Sequence, residues 1–168
     1  MTGTVLHAGC SFEPLPEWLS EFDEVRLDID PGCAPDIVAS ITDVGDIGPF
    51  DRVFCSHALE HLFPHDVEKA LREFHRVLKP GGAALIFVPD LEDVKPTGEV
   101  LFEAPAGPVT GRDLFYGYAP YVERTEHMAH RTGFVRETLQ SALEAAGFGR
   151  MEVNRLPFFN LFAAAIRE

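Results

Sequence analysis

Of the seven histidines in this 168-residue chain, His57, His61, His127 and His130 are the candidates for taking a proton from a reacting group. Imidazole is the side chain whose ordinary pKa lies close enough to neutrality for that work. His57 and His61 are read as the catalytic pair, His57 leading because it follows the carboxyl end of a strand at Ser56, the side on which open α/β sheets bind their ligands. Tyr116, Tyr118 and His130, in a tract crowded with aromatic and titratable groups, are read as shaping an acceptor pocket. A second kind of chemistry is spelled by Asp28, which follows Gly9 at the distance of about twenty positions expected of a carboxylate that accepts both hydroxyls of a ribose. The run His57-Ala58-Leu59-Glu60-His61 also spells H-x-x-E-H, the zinc-binding signature of inverted peptidases. That chemistry needs both histidines on one long helix. Here Val53 to Ser56 reads as strand immediately before, and Pro64 disfavours helix at Phe63 immediately after, so the peptidase stays a remote alternative.

The elements that must hold these residues are clearest between Phe50 and Asp90. Asp51 to Ser56 is an apolar, β-branched strand, and Val67, Leu71, Phe74 and Leu78 repeat at helical spacing. Pro80-Gly81-Gly82 stops that helix after Lys79, and Ala83 to Val88 is a second apolar strand. Strand, crossover helix and strand form a right-handed parallel βαβ unit. Upstream, Thr4 to His7, Glu24 to Ile29 and Asp36 to Ser40 read as strands joined by loops too short and Pro-rich for long helices. One sheet face near that edge is therefore thinly covered, and a neighbouring chain, as in a homodimer, could cover it. Between Leu91 and Thr132 patterning fades, and the tract is read as an irregular acceptor segment or lid. A helix from Val135 to Ala146 stops at Gly147, and Arg150 to Leu156 with Asn160 to Ile166 read as a closing strand pair.

Composition narrows the partners. A net charge of -13 argues against nucleic acid and anionic membrane, both of which are bound through dense positive charge, and leaves a small molecule or a protein as the expected partner. The Arg72, Arg76 and Lys79 stripe reads as a solvated helix face. Cys10, Cys33 and Cys55 are odd in number and far apart, which suggests neither a disulfide framework nor a zinc ribbon and fits the reducing cytoplasm. No segment has the length to span a bilayer, and one domain over 1–168 is expected.

The wording F-D-x-V-x-x-x-H-x-L-E-H followed by A-L-R-E-x-x-R-V-L-K-P-G-G resembles the class I S-adenosylmethionine-dependent methyltransferases of the methyltransferase 11-like type. The resemblance is densest in the first half of the chain. It implies an α/β, Rossmann-like, mostly parallel twisted sheet with a terminal antiparallel pair, here with trimmed helices. S-adenosyl-L-methionine is then the cofactor, held by Ala8, Gly9, Cys10, Ser11, Asp28, Ile29, Asp43 and Ser56. Asp28 is assigned to the ribose and Asp43 to the adenine amino group.

The chain departs from the family in its first turn. Relatives commonly read D-x-G-x-G-x-G there, whereas His7 to Glu13 keeps one glycine of the three. Ser11 at a positive φ would cost about 1 kcal/mol, and Glu13 would stand near the cofactor's own carboxylate. A non-catalytic relative that keeps the fold and binds a ligand is the main alternative. Some relatives, among them the ubiquinone-pathway O-methyltransferases, carry E-x-x-E-H after the fourth strand and hold a divalent ion there. No residue is committed to metal here. Were His57, Glu60 and His61 to hold one, His127 or His130 would have to bring a further ligand.

Overall fold

The structure, a computed structural model, describes residues 3–168. Apolar runs become strands β1 (Thr4–Ala8), β2 (Asp23–Asp28), β3 (Ile37–Val38), β4 (Phe50–Ser56) and β5 (Leu78–Pro89), all parallel where they pair. A hairpin, β6 (Val100–Ala104) and β7 (Gly107–Thr110), stands apart from the main sheet. The last strands, β8 (Arg150–Leu156) and β9 (Asn160–Ile166), close the main sheet in the order β3-β2-β1-β4-β5-β9-β8, with β9 antiparallel to both neighbours. Strand order reverses between β1 and β4, and in open α/β sheets that is where ligands sit.

Helix α1 (Pro64–Val77) runs between β4 and β5, and α4 (Arg136–Ala145) precedes β8. Both lie on one sheet face, where Leu71, Phe74, Leu139 and Leu143 pack with Leu6, Val53, Ile86 and Leu161 in one fully buried cluster. The opposite face has a far smaller cluster, Val5, Leu19, Phe54, Ala83 and Leu85, with Phe22, Phe87 and Phe162 only half-buried against it. The early crossovers explain the difference: they are 3-10 turns, Glu17–Leu19 and Pro31–Cys33, rather than helices. The thin cover thus reaches β5 and β9 and is not confined to the β2–β3 edge.

Several sequence expectations are corrected. The third strand shrinks to Ile37–Val38, because Ser40 and Asp43 form an isolated bridge that turns the chain away. Helix α1 ends at Val77, so Leu78 and Lys79 belong to β5, and Lys79 leaves the helix stripe to pair with Asp51 at 2.8 Å. The 91–132 tract is more ordered than its prolines suggest. It holds the β6–β7 hairpin, α2 (Gly111–Tyr116) and the single-turn α3 (Ala119–Val122). Thr110 caps α2 reciprocally with Asp113, and Pro120 sits in the first turn of α3, where its missing N–H costs nothing. All three cysteines are free and buried. Among the described residues no helix is long and apolar enough to cross a membrane.

One carboxylate ties three strands at the end of the sheet away from the site. Asp51 Oδ2 accepts from the Thr4 amide at 2.8 Å, the Thr4 hydroxyl at 3.3 Å and Lys79 Nζ at 2.8 Å. The Lys79 hydrogen bond first, then the Thr4 amide, hold its carboxyl below the usual range. Asp51→Ala should lower unfolding stability by about 1–2 kcal/mol, mostly through the orphaned Thr4 amide, since the exposed lysine adds little. Because the folded pKa is depressed, this contribution is complete above the unfolded carboxyl value and is lost as pH falls through the folded one. Urea titrations of both proteins should therefore show a gap near neutrality that closes in acid.

Candidate functional site

The turn after β1 is held by bonds that stand in for the missing glycines. Gly9 keeps φ at +70°, and a Cβ there would lie 2.7 Å from Ala58 Cβ, so the β1 and β4 loops meet only because this residue is glycine. Ser11 sits at φ 45°, the strained conformation anticipated from its sequence position. Arg26 on β2 braces the turn, donating Nη2 to Ser11 O at 2.8 Å and Nη1 to Glu13 O at 3.0 Å. Asp28 completes the bracing. Its Oδ2 accepts the Ser11 amide at 2.8 Å and its Oδ1 the Asp30 amide at 2.9 Å, leaving one lone pair on each oxygen for a ligand hydroxyl.

A cavity of about 980 Å³ opens at this switch point. Its walls bring together Gly9, Cys10, Ser11, Asp28 and Ile29 from the β1 and β2 ends with Ser56, His57 and His61 from the β4 end. Burial pushes the Cys10 thiol up to about 11, so it stays protonated as a packing group. Ala8 is fully buried and lies outside the lining. The structure does not bring Asp43 to the cavity. Its carboxylate turns back to the Gly45 amide at 3.3 Å, and Ser40 and Ile41 line that part of the wall.

The far wall comes from the 91–132 tract, though not from the tyrosines expected. Tyr116 is exposed on α2, and Tyr118 spends its hydroxyl on Ala106 O at 2.8 Å. Tyr121, Thr125, His127, Met128 and Arg131 line the cavity instead. Tyr121 stands one turn beyond Tyr118, on α3. Pro120 after Ala119 was the available signal, since proline in a first turn starts a helix that carries Tyr121 round to the other side. His130 also lies off the lining. It is half-buried, with Nδ1 donating to Leu114 O at 2.8 Å and its ring 5.1 Å from that of His61.

The β4 exit decides what H-x-x-E-H can do. His57 has φ 51°, and Leu59–His61 is one 3-10 turn, so the two histidines do not share a helix and the zinc-peptidase alternative is overturned. Glu60, missed as a site residue, is buried. Its Oε1 meets His57 Nδ1 at 3.1 Å while Oε2 has no partner among the described residues. Burial alone would raise the Glu60 carboxyl, but the His57 hydrogen bond and the nearby imidazoles reverse this and hold it below its ordinary value. For His57, burial disfavours the imidazolium, yet Glu60 more than compensates, with Asn160 adding, and its pKa is raised. One ligand atom each from Glu60, His61 and His130 lies within 4.8 Å of the others. His61 and His130 donate from Nδ1 to the carbonyls of Ala129 and Leu114, which leaves each Nε2 as an open lone pair.

Residues 6–86, which carry the β1 turn, Asp28 and the β4 exit, match the family described as "methyltransferase domain". These residues, just under half of the chain, carry a methyltransferase domain, and the chain is similar to the S-adenosylmethionine-dependent methyltransferases. Its cofactor is S-adenosylmethionine. Solved structures agree on the fold of this methyltransferase. An S-adenosylmethionine-dependent methyltransferase from Mesorhizobium loti is 18% identical with a TM-score of 0.69, covering 98% of this chain and 91% of its own. A Pyrococcus horikoshii protein is 14% identical with a TM-score of 0.68, over 100% of this chain and 83% of its own. The 1,6-didemethyltoxoflavin-N1-methyltransferase of Burkholderia thailandensis, solved with that compound and S-adenosylhomocysteine, is 16% identical with a TM-score of 0.63, over 99% of this chain and 72% of its own.

Two substitutions test the cofactor end of this methyltransferase. Asp28→Ala should weaken S-adenosylhomocysteine binding by roughly tenfold or more, because two ribose hydroxyls and two backbone amides lose their acceptor. Gly9→Ala, which forces a contact between two Cβ atoms, should abolish binding at concentrations that saturate the parent. Isothermal titration reads both, and wild-type affinity in Asp28→Ala would remove the ribose assignment.

Proposed function

We propose that this methyltransferase moves a methyl group from S-adenosylmethionine to a small-molecule acceptor held beneath the Tyr121–Arg131 wall, with His57 as the base. The observation that carries this reading is one continuous cavity. It is lined by the cofactor residues at the β1 and β2 ends, by His57 at the β4 end and by the acceptor tract opposite. Transfer from a sulfonium is an in-line displacement by a group already in place, so positioning supplies most of the rate. Proton removal is needed only for an acceptor hydroxyl or a protonated amine. His57 is placed to take that proton, and Glu60 orients its ring and stabilises the charge that forms. The buried His7, held by Glu24 at 2.7 Å, forms part of the cavity lining and is kept neutral by burial.

The test begins with isothermal titration of S-adenosylmethionine and its demethylated product, followed by transfer of labelled methyl to a panel of small acceptors. Binding without any transfer across the panel would favour the non-catalytic alternative. With an active acceptor in hand, His57→Gln should lower kcat by roughly 100-fold or more while S-adenosylhomocysteine affinity stays within about threefold. Equal loss of both would assign His57 to cofactor binding.

The unpartnered Oε2 of Glu60 favours a second reading of the same wall. A buried carboxylate oxygen is rarely left without a donor, and here it stands beside two imidazoles with open Nε2 lone pairs. Glu60, His61 and His130 would hold a divalent transition ion, to which one carboxylate and two imidazoles are better suited than to magnesium. Such an ion would polarise an acceptor oxygen. Elemental analysis of untagged protein should then find near-stoichiometric manganese, zinc or a similar metal, lost in His61→Ala. Trace metal in both proteins would leave His57 as the sole device for proton removal.

A further inference from the structure

We infer that the acceptor is an anion, a carboxylate carried on an apolar body, and that Arg131 is its anchor. This rests on the methyltransferase reading above and concerns the same cavity. In a chain of net charge -13, four arginines, Arg26, Arg72, Arg76 and Arg155, meet a carboxylate within 4.0 Å among the described residues, and of the arginines Arg131 alone is part of the cavity lining. Arg131 lines the cavity and forms no ion pair among the described residues. Its guanidinium is fixed by neutral groups alone: Nη1 donates to His61 O at 3.2 Å, Nη2 reaches Glu126 O at 3.5 Å, and the guanidinium carbon stands 5.0 Å from the centre of the Phe63 ring. Its backbone amide is tied to Glu60 O at 2.8 Å. The group is therefore held in place without a carboxylate within 4.0 Å among the described residues, and two carbonyl bonds leave three of its five N–H donors for a ligand.

The other charged groups of the cavity set where the ligand's charge belongs. Asp28, Asp30 and Glu13 line it from the β1–β2 side, while Arg131 is bonded to the loop after β4. β1 lies between β2 and β4 in the sheet, so Asp28 and the β4 end are two strand spacings, about 10 Å, apart. Glu60, whose backbone carbonyl takes the Arg131 amide, meets His57 through Oε1 and forms no ion pair with Arg131 among the described residues. Leu62, Tyr121 and Met128 line the cavity on the β4 and lid side and supply apolar surface for the ligand's body. An acid with an aromatic or other apolar frame matches both features, because a guanidinium fork binds carboxylate in two parallel hydrogen bonds.

The experiment uses the full chain saturated with S-adenosylhomocysteine. It is titrated with aromatic acids (hydroxybenzoates, hydroxycinnamates and indole acetate) and with the neutral amide of each. At least one acid should bind roughly tenfold or more tighter than its amide. Arg131→Gln should erase that difference, Arg131→Lys should retain part of it, and neither should change S-adenosylhomocysteine affinity more than about threefold. No acid surpassing its amide, or a preference that survives in Arg131→Gln, would overturn the assignment. So would a parallel loss of S-adenosylhomocysteine affinity in Arg131→Gln, which would place the arginine on the cofactor's own carboxylate. Failure of the parent chain to bind S-adenosylhomocysteine at all would instead strike the methyltransferase reading itself.

Discussion

The cofactor end of this enzyme depends on one carboxylate. Asp28 takes a backbone amide from the β1 turn on one oxygen and another from the β2 exit on the other, tying two loops that have no helix to anchor them. Without that clasp the left-handed Ser11 would have little to hold it, and the turn could relax away from Ala58. Arg26 works from the same strand on the outer side of the turn. In relatives with three glycines the backbone adopts such a turn at little cost. Here a charged pair of side chains on β2 imposes it, so the second strand performs part of the first turn's role.

A similar substitution of side-chain for backbone control operates at the β4 exit. Glu60 is buried where a carboxylate would ordinarily be protonated, and His57 keeps it ionised. Its backbone carbonyl meanwhile receives the amides of Arg131 and Thr132, and Thr132 Oγ1 donates to Leu62 O at 2.6 Å. The 91–132 tract is thus joined to the β4 exit loop through main chain as well as through rings. The far wall of the cavity and the His57–Glu60 pair are parts of one hydrogen-bonded unit.

Most of the sheet was legible because apolar runs and strand-stopping prolines and glycines act locally. Val53 to Cys55, Ala83 to Val88 and the 160–166 run could hardly be anything but strands, and the antiparallel closing pair followed from the family resemblance. The convergence of Gly9 and Asp28 on one cavity was legible because a turn glycine and a carboxylate at the next strand's end stand at a set distance. Asp43 lies off that cavity because the two-residue β3 ends early, which no period reveals. Tyr121 and Arg131 were missed for a different reason. Their positions depend on the capping of α2 by Thr110 and Asp113 and on the bend at Gly117, whose φ of +95° redirects the chain. Such tertiary geometry leaves no signature in hydrophobic spacing. Glu60 was quoted within a motif yet passed over, because its burial becomes visible only when the acceptor tract lies across it.

The position of β9 also bears on how the protein is made. This strand comes last in the chain yet occupies an interior position of the sheet, pairing along its length with β5 and β8, and Leu161, Ala163 and Ala165 are completely buried. During synthesis the parallel strands emerge first and must wait with the β5 edge bare, an edge that invites pairing with other chains. The helical face of the core likewise stays incomplete until those three residues leave the ribosome. Nascent chains stalled before Asn160 would therefore be clients for chaperones rather than partly working enzymes.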